Sequence, residues 1–178
     1  MSQSQGEIPT HHLFPCMVFA PREEHLVSTV VGSCVAICLW DSTMDMGGIN
    51  HYMLALWNGD GLPTPKFGNV AIEKLIQIML RRGCSQKRFV AKMFGGGNVI
   101  GNGQGPNTIG GRNIAIAREI LAKEQIPIVG EDVGGDFGRR IVYNTRTGVV
   151  LVFHLRRISD RLLPVQKGVE LSHRNLVE

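Results

Sequence analysis

The sequence predicts a single α+β domain in which strands and two helices pack in layers. Short β-branched and apolar segments, bounded by glycine and turn residues, are interspersed with two stretches of helical period. The helices do not alternate strictly with the strands, as the units of a parallel α/β fold would. With 178 residues, 43% of them hydrophobic and 19% charged, the chain suits one globular domain rather than a disordered segment.

Four apolar, β-branched segments predict strands in the first half of the chain. Residues 26–31 and 34–40 are separated only by Gly32-Ser33, which indicates a kink between two buried strands. Turn residues follow, and strands are then predicted over residues 49–56 and 89–94.

Two helices are predicted from the spacing of apolar residues. The first begins near Thr64-Pro65, a typical cap and first helical position, and ends at Gly83. Its apolar stripe consists of Ile72, Leu75, Ile76, Met79 and Leu80. The second helix is predicted over residues 111–124, with one apolar face formed by Ile114, Ala117 and Leu121.

The last part of the predicted domain is rich in strands. A short strand over residues 126–133 leads to Gly134-Gly135, and residues 140–144 and 149–155 form a hairpin. We expect the N-terminus up to Pro15 to be loosely held and the charged tail beyond Arg157 to be irregular. The domain therefore spans residues 1–178, with its compact core at about residues 16–157.

Composition and motifs exclude several classes of function. We expect no membrane insertion, because no apolar run reaches the roughly 18 residues of a membrane helix. The N-terminus lacks the pattern of a secretory signal, so a cytoplasmic location is expected. The net charge is only +4. Aromatic residues are scarce, at 6% of the chain, and do not alternate with the basic residues of the stretch 81–92 as a nucleic-acid platform requires, which favours an acidic protein partner. The cysteines and histidines show no metal-binding spacing, so no metal or cofactor is expected.

A glycine- and asparagine-rich segment spans residues 95–112. It has neither the GxGxxG pattern nor the lysine-containing ending of a phosphate-binding loop. We therefore expect a mobile or substrate-shaping loop instead of a phosphate site.

Cys34 is a candidate nucleophile because Gly32-Ser33 permits a tight turn at which a side chain is exposed and its backbone N–H groups face an oxyanion. His51 is the nearest downstream base, and Ser28 or Thr29 supplies a hydroxyl that would orient the imidazole. We expect such a nucleophile to have a low pKa and to alkylate before the other cysteines. Two alternatives remain open: Cys34 as a small buried hydrophobe, and His51 as a hydrogen-bonded core residue.

The spacing of these residues does not by itself bring them together. In a plain hairpin of residues 34–41 and 48–56, positions whose numbers sum to about 89 face each other. His51 would then oppose Cys38 and lie ~13 Å along the ladder from Cys34. A kink, a bulge or a different strand pairing is needed for contact.

Several ordered segments of the chain resemble the CheD family of chemoreceptor glutamine deamidases. The resemblance runs from about Leu26 to Leu155, and its specificity comes from the order of its motifs. These motifs are STVVGSCVAICLWD at 28–41, GGINHYML at 47–54, AKMFGGGN at 91–98, IGGRN at 109–113, and IPIVGEDVGG at 126–135 followed by Arg139-Arg140.

The resemblance implies a fold of two mixed sheets packed together and flanked by helices, and a catalytic role for three residues. The nucleophile falls on Cys34 and its acid/base partner on His51. The third position falls on Ser28, where the family has threonine, and the adjacent Thr29 is the substitute.

The implied reaction hydrolyses glutamine side-chain amides through a cysteine thioester, with backbone N–H groups near Cys34 and the glycine-rich loop holding the oxyanion. The implied partners are the helical cytoplasmic region of methyl-accepting receptors and a CheC-type phosphatase. Two rivals remain: a non-catalytic module that regulates such a phosphatase or a receptor array, and a cysteine protease.

Overall fold

The computed structural model describes residues 7–99 and 105–155 and the backbone of residues 169–171. Within these residues, two mixed sheets of five strands stack face to face, and two α-helices cover the outer face of one sheet. The predicted α+β class and the layered arrangement are confirmed.

The first three strands alternate between the two sheets, the next four lie in one sheet, and the last three lie in the other. They are β1 (Thr10–His12), β2 (Met17–Phe19), β3 (Leu26–Val31), β4 (Val35–Asp41), β5 (Met46–Tyr52), β6 (Phe89–Gly95), β7 (Ile128–Val133), β8 (Gly138–Asn144), β9 (Val150–Leu155) and β10 (Val169–Leu171). Sheet A has the order β1-β3-β8-β9-β10, and sheet B has the order β2-β5-β4-β6-β7. The pairs β1–β3 and β6–β7 are parallel, and the other pairs are antiparallel.

Both predicted helices form, with shifted starts. Helix α1 spans Gly68–Arg81 and begins after Thr64-Pro65, because residues 64–67 form a turn and Phe67 is held in a parallel bridge with Leu54. Helix α2 spans Ile109–Lys123, and Thr108 Oγ1 accepts the N–H of Gly111 at its start. Neither helix in the described part of the chain is long and apolar enough to cross a membrane.

Strand β4 packs against apolar layers on both faces, which accounts for its run of apolar residues. Val35, Ile37 and Leu39 pack towards the helices. Ala36 and Cys38 face the layer between the two sheets, together with residues of β3, β8 and β9.

The register of β4 against β5 differs from the predicted one. Paired positions sum to 87, so Ala36, not Cys38, lies opposite His51. The reason is that β5 begins at Met46, immediately after a tight turn in which Asp45 has a φ of +44°. The ladder is therefore longer at the turn than the sequence predicts, and β5 ends at Tyr52 rather than at residue 56.

Both ends of the chain contribute strands. Residues 10–12, expected to be loosely held, pair in parallel with β3. In the charged tail, Val169–Leu171 pairs with β9. The other tail residues beyond 155 and the first six residues lie outside the described part of the chain.

Asp41 ends β4 with a buried carboxylate that accepts several hydrogen bonds. Its donors are Arg88 Nε and Nη2 and the backbone N–H groups of Thr43, Met44 and Ser85. Burial favours the neutral acid, but these hydrogen bonds outweigh it and lower the pKa of Asp41. The carboxylate thus joins the end of β4, the following turn and the start of the segment leading to β6.

We expect Asp41→Asn to lower the free energy of unfolding by about 1.5–3 kcal/mol at neutral pH, because hydrogen bonds to a charged acceptor are lost. A carboxyl whose pKa is lowered on folding contributes stability above its unfolded value of about 4, and this contribution is lost as the pH falls through the folded value. The difference in free energy of unfolding between wild type and Asp41→Asn should therefore become smaller as the pH is lowered. Urea unfolding at several pH values measures it, with Asp45→Asn in the exposed turn as the control. Equal losses for both variants would contradict the prediction.

Candidate active site

Cys34 lies in the short turn that carries the chain from β3 in sheet A to β4 in sheet B. Its side chain is partly buried and packs against the layer between the sheets. Three consecutive carbonyl groups of the turn each accept a hydrogen bond. They are Gly32 O from Gly97 N at 2.8 Å, Ser33 O from Asn113 Nδ2 at 2.9 Å, and Cys34 O from Gly96 N at 2.8 Å. The backbone around the candidate nucleophile is therefore held by the end of β6 and by α2.

Two glycines at the end of β6 are required by this arrangement, its last residue Gly95 and the following Gly96. Gly95 has a φ of +105°, and a Cβ at this position would overlap the carbonyl oxygen of Cys34. Gly96 has a φ of +67°, and a Cβ there would overlap the side chain of Ile114. The first part of the glycine-rich segment is thus a support for the cysteine turn, which corrects the expectation of a mobile loop there. Residues 100–104 of that segment lie outside the described residues.

His51 is buried between the two sheets, with 1% of its surface exposed. Its Nδ1 lies 2.8 Å from Thr29 Oγ1 on β3 of the opposite sheet. Thr29 Oγ1 also donates to the carbonyl oxygen of Leu13 at 2.7 Å. A contact between one side chain of each sheet therefore orients the imidazole.

The hydrogen bonds of Thr29 determine the tautomer of His51. A hydroxyl has one proton, and the carbonyl of Leu13 can only accept it. The bond to His51 must therefore run from Nδ1–H to Thr29 Oγ1. This leaves Nε2 unprotonated, and Nε2 is buried without a hydrogen-bond partner among the described residues. A bare, buried imidazole nitrogen is suited to accept a proton.

Burial keeps both candidate groups neutral. Desolvation, together with nearby His12, lowers the pKa of His51 to about 4. Burial raises the pKa of the Cys34 thiol, nearby Cys16 adds to the rise, and the backbone N–H of Cys34 itself opposes it. The expectation of an acidic Cys34 is therefore corrected, because the site pairs a neutral thiol with a neutral imidazole.

The observed register brings Cys34 and His51 to the same end of sheet B. His51 lies opposite Ala36, two residues along from Cys34, and both candidate side chains face the layer between the sheets. Diagonal neighbours of this kind have Cα atoms roughly 7–8 Å apart, within reach of a long or aromatic side chain. The separation of ~13 Å that follows from the predicted hairpin does not occur.

Ser28 and Thr29 occupy opposite faces of β3. Thr29 is 1% exposed and faces His51. Because side chains alternate along a strand, Ser28 points the other way, and its Oγ lies 3.3 Å from Nδ1 of His12. The structure therefore places the substitute, Thr29, and not Ser28, against the imidazole.

The other cysteines differ in their relation to the site. Cys16 is partly exposed beside Cys34, and its N–H donates to the carbonyl of His51 at 2.7 Å. Cys38 and Cys84 are buried, and desolvation raises the pKa of each thiol. Over residues 7–99 and 105–155, no three His, Cys, Asp or Glu side chains converge as metal ligands.

Sequence reasoning missed two supports of the site, the glycines at the end of β6 and Asn113. A signal for Asn113 was present, since it is a polar residue on the same helical stripe as Ala117 and Leu121, four and eight positions later. The position of the glycines immediately after an apolar strand is a second signal, because consecutive glycines there permit close backbone approach.

Comparison with known proteins identifies relatives over most of this chain. The family model described as "CheD chemotactic sensory transduction" matches residues 55–154. A protein of Trichlorobacter lovleyi, named probable chemoreceptor glutamine deamidase CheD, is 46% identical over 153 residues, which cover 85% of this chain and 95% of the relative. A protein of the same name from Sulfurimonas denitrificans is 41% identical over 152 residues, covering 85% and 97% of the two chains. Matches of this extent show that the chain belongs to the CheD family.

Proposed function

We propose that this protein is a protein-glutamine deamidase that hydrolyses the side-chain amides of glutamine residues in chemoreceptors to glutamate. The observation that carries the proposal is the buried His51, whose Nδ1–H is held by Thr29, whose Nε2 has no hydrogen-bond partner among the described residues, and whose strand pairs with the one that follows Cys34. The names of the relatives support the substrate class, since they are called chemoreceptor glutamine deamidases.

In the first half of the proposed reaction, Nε2 of His51 takes the proton of the Cys34 thiol as the sulfur attacks the carboxamide carbon. Proton transfer and attack occur in the same step, because the thiol is neutral in the resting site. The imidazolium that forms keeps its Nδ1–H bond to Thr29. It then protonates the departing nitrogen, ammonia leaves, and a thioester remains.

In the second half, His51 removes a proton from water, which attacks the thioester carbon. The carbon–sulfur bond breaks, the sulfur regains its proton from His51, and glutamate is released. The balance is one carboxamide and one water in, and one carboxylic acid and one ammonia out. These groups require no metal or organic cofactor for that balance.

The oxyanion of the tetrahedral intermediate needs a donor, and residues 96–98 of the glycine-rich segment do not supply a free N–H group. The N–H groups of Gly96, Gly97 and Asn98 already donate to the carbonyls of Cys34, Gly32 and Gly135. The backbone N–H of Cys34 faces its own sulfur, so we assign it as a donor to the oxyanion.

Exposed apolar side chains near β5 suit a protein substrate. Met17 pairs in register with His51 and is 50% exposed, and Met53, two residues beyond His51, is 38% exposed. Phe14, next to Leu13, is 64% exposed. Flexible thioethers and an aromatic ring can pack against the apolar face of a receptor helix that presents a glutamine. A CheC-type phosphatase is a further proposed partner.

The nucleophile assignment is tested with cytoplasmic receptor fragments. We expect Cys34→Ala to abolish conversion of glutamine to glutamate, measured by mass spectrometry, because no thioester can form. Cys84→Ala, at a buried thiol next to Met46, is the matched control and should retain turnover. Association with receptor or phosphatase but no conversion by wild type would favour the non-catalytic alternative.

The orienting residue is tested with two neighbouring variants. Thr29→Val removes the hydroxyl at nearly constant volume and should lower kcat by roughly 10²-fold, since His51 loses the partner that fixes its tautomer. Ser28→Ala should stay close to wild type, because Ser28 points away from the imidazole. If Ser28→Ala lowered the initial rate more than Thr29→Val, Ser28 would be the orienting residue.

The pH profile tests the role of His51 as a base. Its lowered pKa means that the basic form persists in acid, so kcat/KM should fall only as the pH drops towards about 4. Rates are measured where circular dichroism shows a folded protein. An acid limb near the ordinary histidine value of about 6.5 would contradict the lowered pKa of His51, and His51→Ala with unchanged kcat/KM would contradict its role as the base.

A further inference from the structure

Asn113 of α2 connects the two segments that carry the candidate catalytic residues. It is fully buried, and its Nδ2 donates to Ser33 O at 2.9 Å and to Met53 O at 2.8 Å. Both partners are carbonyl oxygens, which only accept hydrogen bonds, so the orientation of the side-chain amide is fixed. One amide group therefore bonds to the residue before Cys34 and to the second residue after His51.

These two carbonyls lie just beyond the end of a strand ladder. The β4–β5 pairing ends at Val35 and Tyr52. Beyond this point, Asn113 takes the place of ladder hydrogen bonds between the two segments. The main-chain oxygen of Asn113 also accepts the hydroxyl proton of Tyr52 at 2.6 Å, which holds α2 itself against β5.

The packing of α2 against the sheet does not by itself explain why residue 113 is an asparagine. Its Oδ1 is buried without a hydrogen-bond partner among the described residues. Such an unpaired acceptor costs about 1–3 kcal/mol, which an apolar side chain at the same position would not incur. At the opposite end of α2, Gln86 Nε2 donates to Glu124 O and Oε2 and provides docking by similar chemistry away from the site.

We propose that Asn113 is a positioning residue that sets the separation between the Cys34 turn and the His51 strand for proton transfer. This inference rests on the proposed deamidase function. The other two hydrogen bonds to the carbonyls of the turn come from the backbone N–H groups of Gly96 and Gly97. Of these three hydrogen bonds, only the one from Asn113 can be removed by changing a side chain.

The test uses the full-length protein and receptor fragments, with kcat and KM measured separately. Asn113→Asp is isosteric but replaces the two donors with an acceptor facing two carbonyls. We expect kcat to fall by about 10²-fold, the size of effect that a misplacement of roughly 1 Å produces. KM should change little, because the residue acts on the reacting groups and not on substrate binding.

Asn113→Ser is the second variant, because it adds no charge and keeps one donor. We expect it to fold and to lose about 10-fold in kcat, between wild type and Asn113→Asp. Gln86→Ala is the matched control at the other end of α2, and it should lower the melting temperature without lowering kcat at temperatures where it is folded.

Two outcomes would overturn the inference. One is an unchanged kcat in either folded Asn113 variant, and the other is a loss in Gln86→Ala that matches theirs. If wild type itself converts no glutamine, the proposed function fails instead. Alkylation of Cys34 by iodoacetamide then still reports on the inference, since a displaced turn should change the rate for the Asn113 variants and not for Gln86→Ala.

Discussion

The hydroxyl of Thr29 is the interaction on which the site depends. It donates to the carbonyl of Leu13 and accepts from Nδ1 of His51, so it joins the segment after β1, sheet A and sheet B at one atom. Because the hydroxyl can serve His51 only as an acceptor, the imidazole has one tautomer and one free nitrogen. The same burial that enforces this bond keeps the imidazole neutral.

The central strands and both helices were predictable because they depend on local periodicity, whereas the short strands β1, β2 and β10 were not. The stripe of α1 and the apolar run of β4 are visible in the sequence, and both are largely buried as predicted, except for Leu80, which is exposed at the end of the helix. The start of α1 was not predictable, because a bridge between Leu54 and Phe67 keeps Phe67 out of the helix. Pairing of this kind depends on residues distant from the helix start itself.

The candidate site was only partly predictable, and strand β3 shows why. Its sequence offers Leu26 and Val30 on one face and Val27 and Val31 on the other, so periodicity does not decide which face is buried. Stacking of the two sheets buries Val27, Thr29 and Val31, and this makes Thr29 the residue that meets His51. The register of β4 and β5 depends similarly on where a tight turn begins.

The neutral resting state of Cys34 has a consequence outside catalysis. Peroxides and related cellular oxidants react with thiolates far more readily than with thiols. Because desolvation raises the pKa of Cys34, we expect its sulfur to resist oxidation to sulfenic acid. The proposed nucleophile would then be chemically stable when idle and would depend on the imidazole to become reactive.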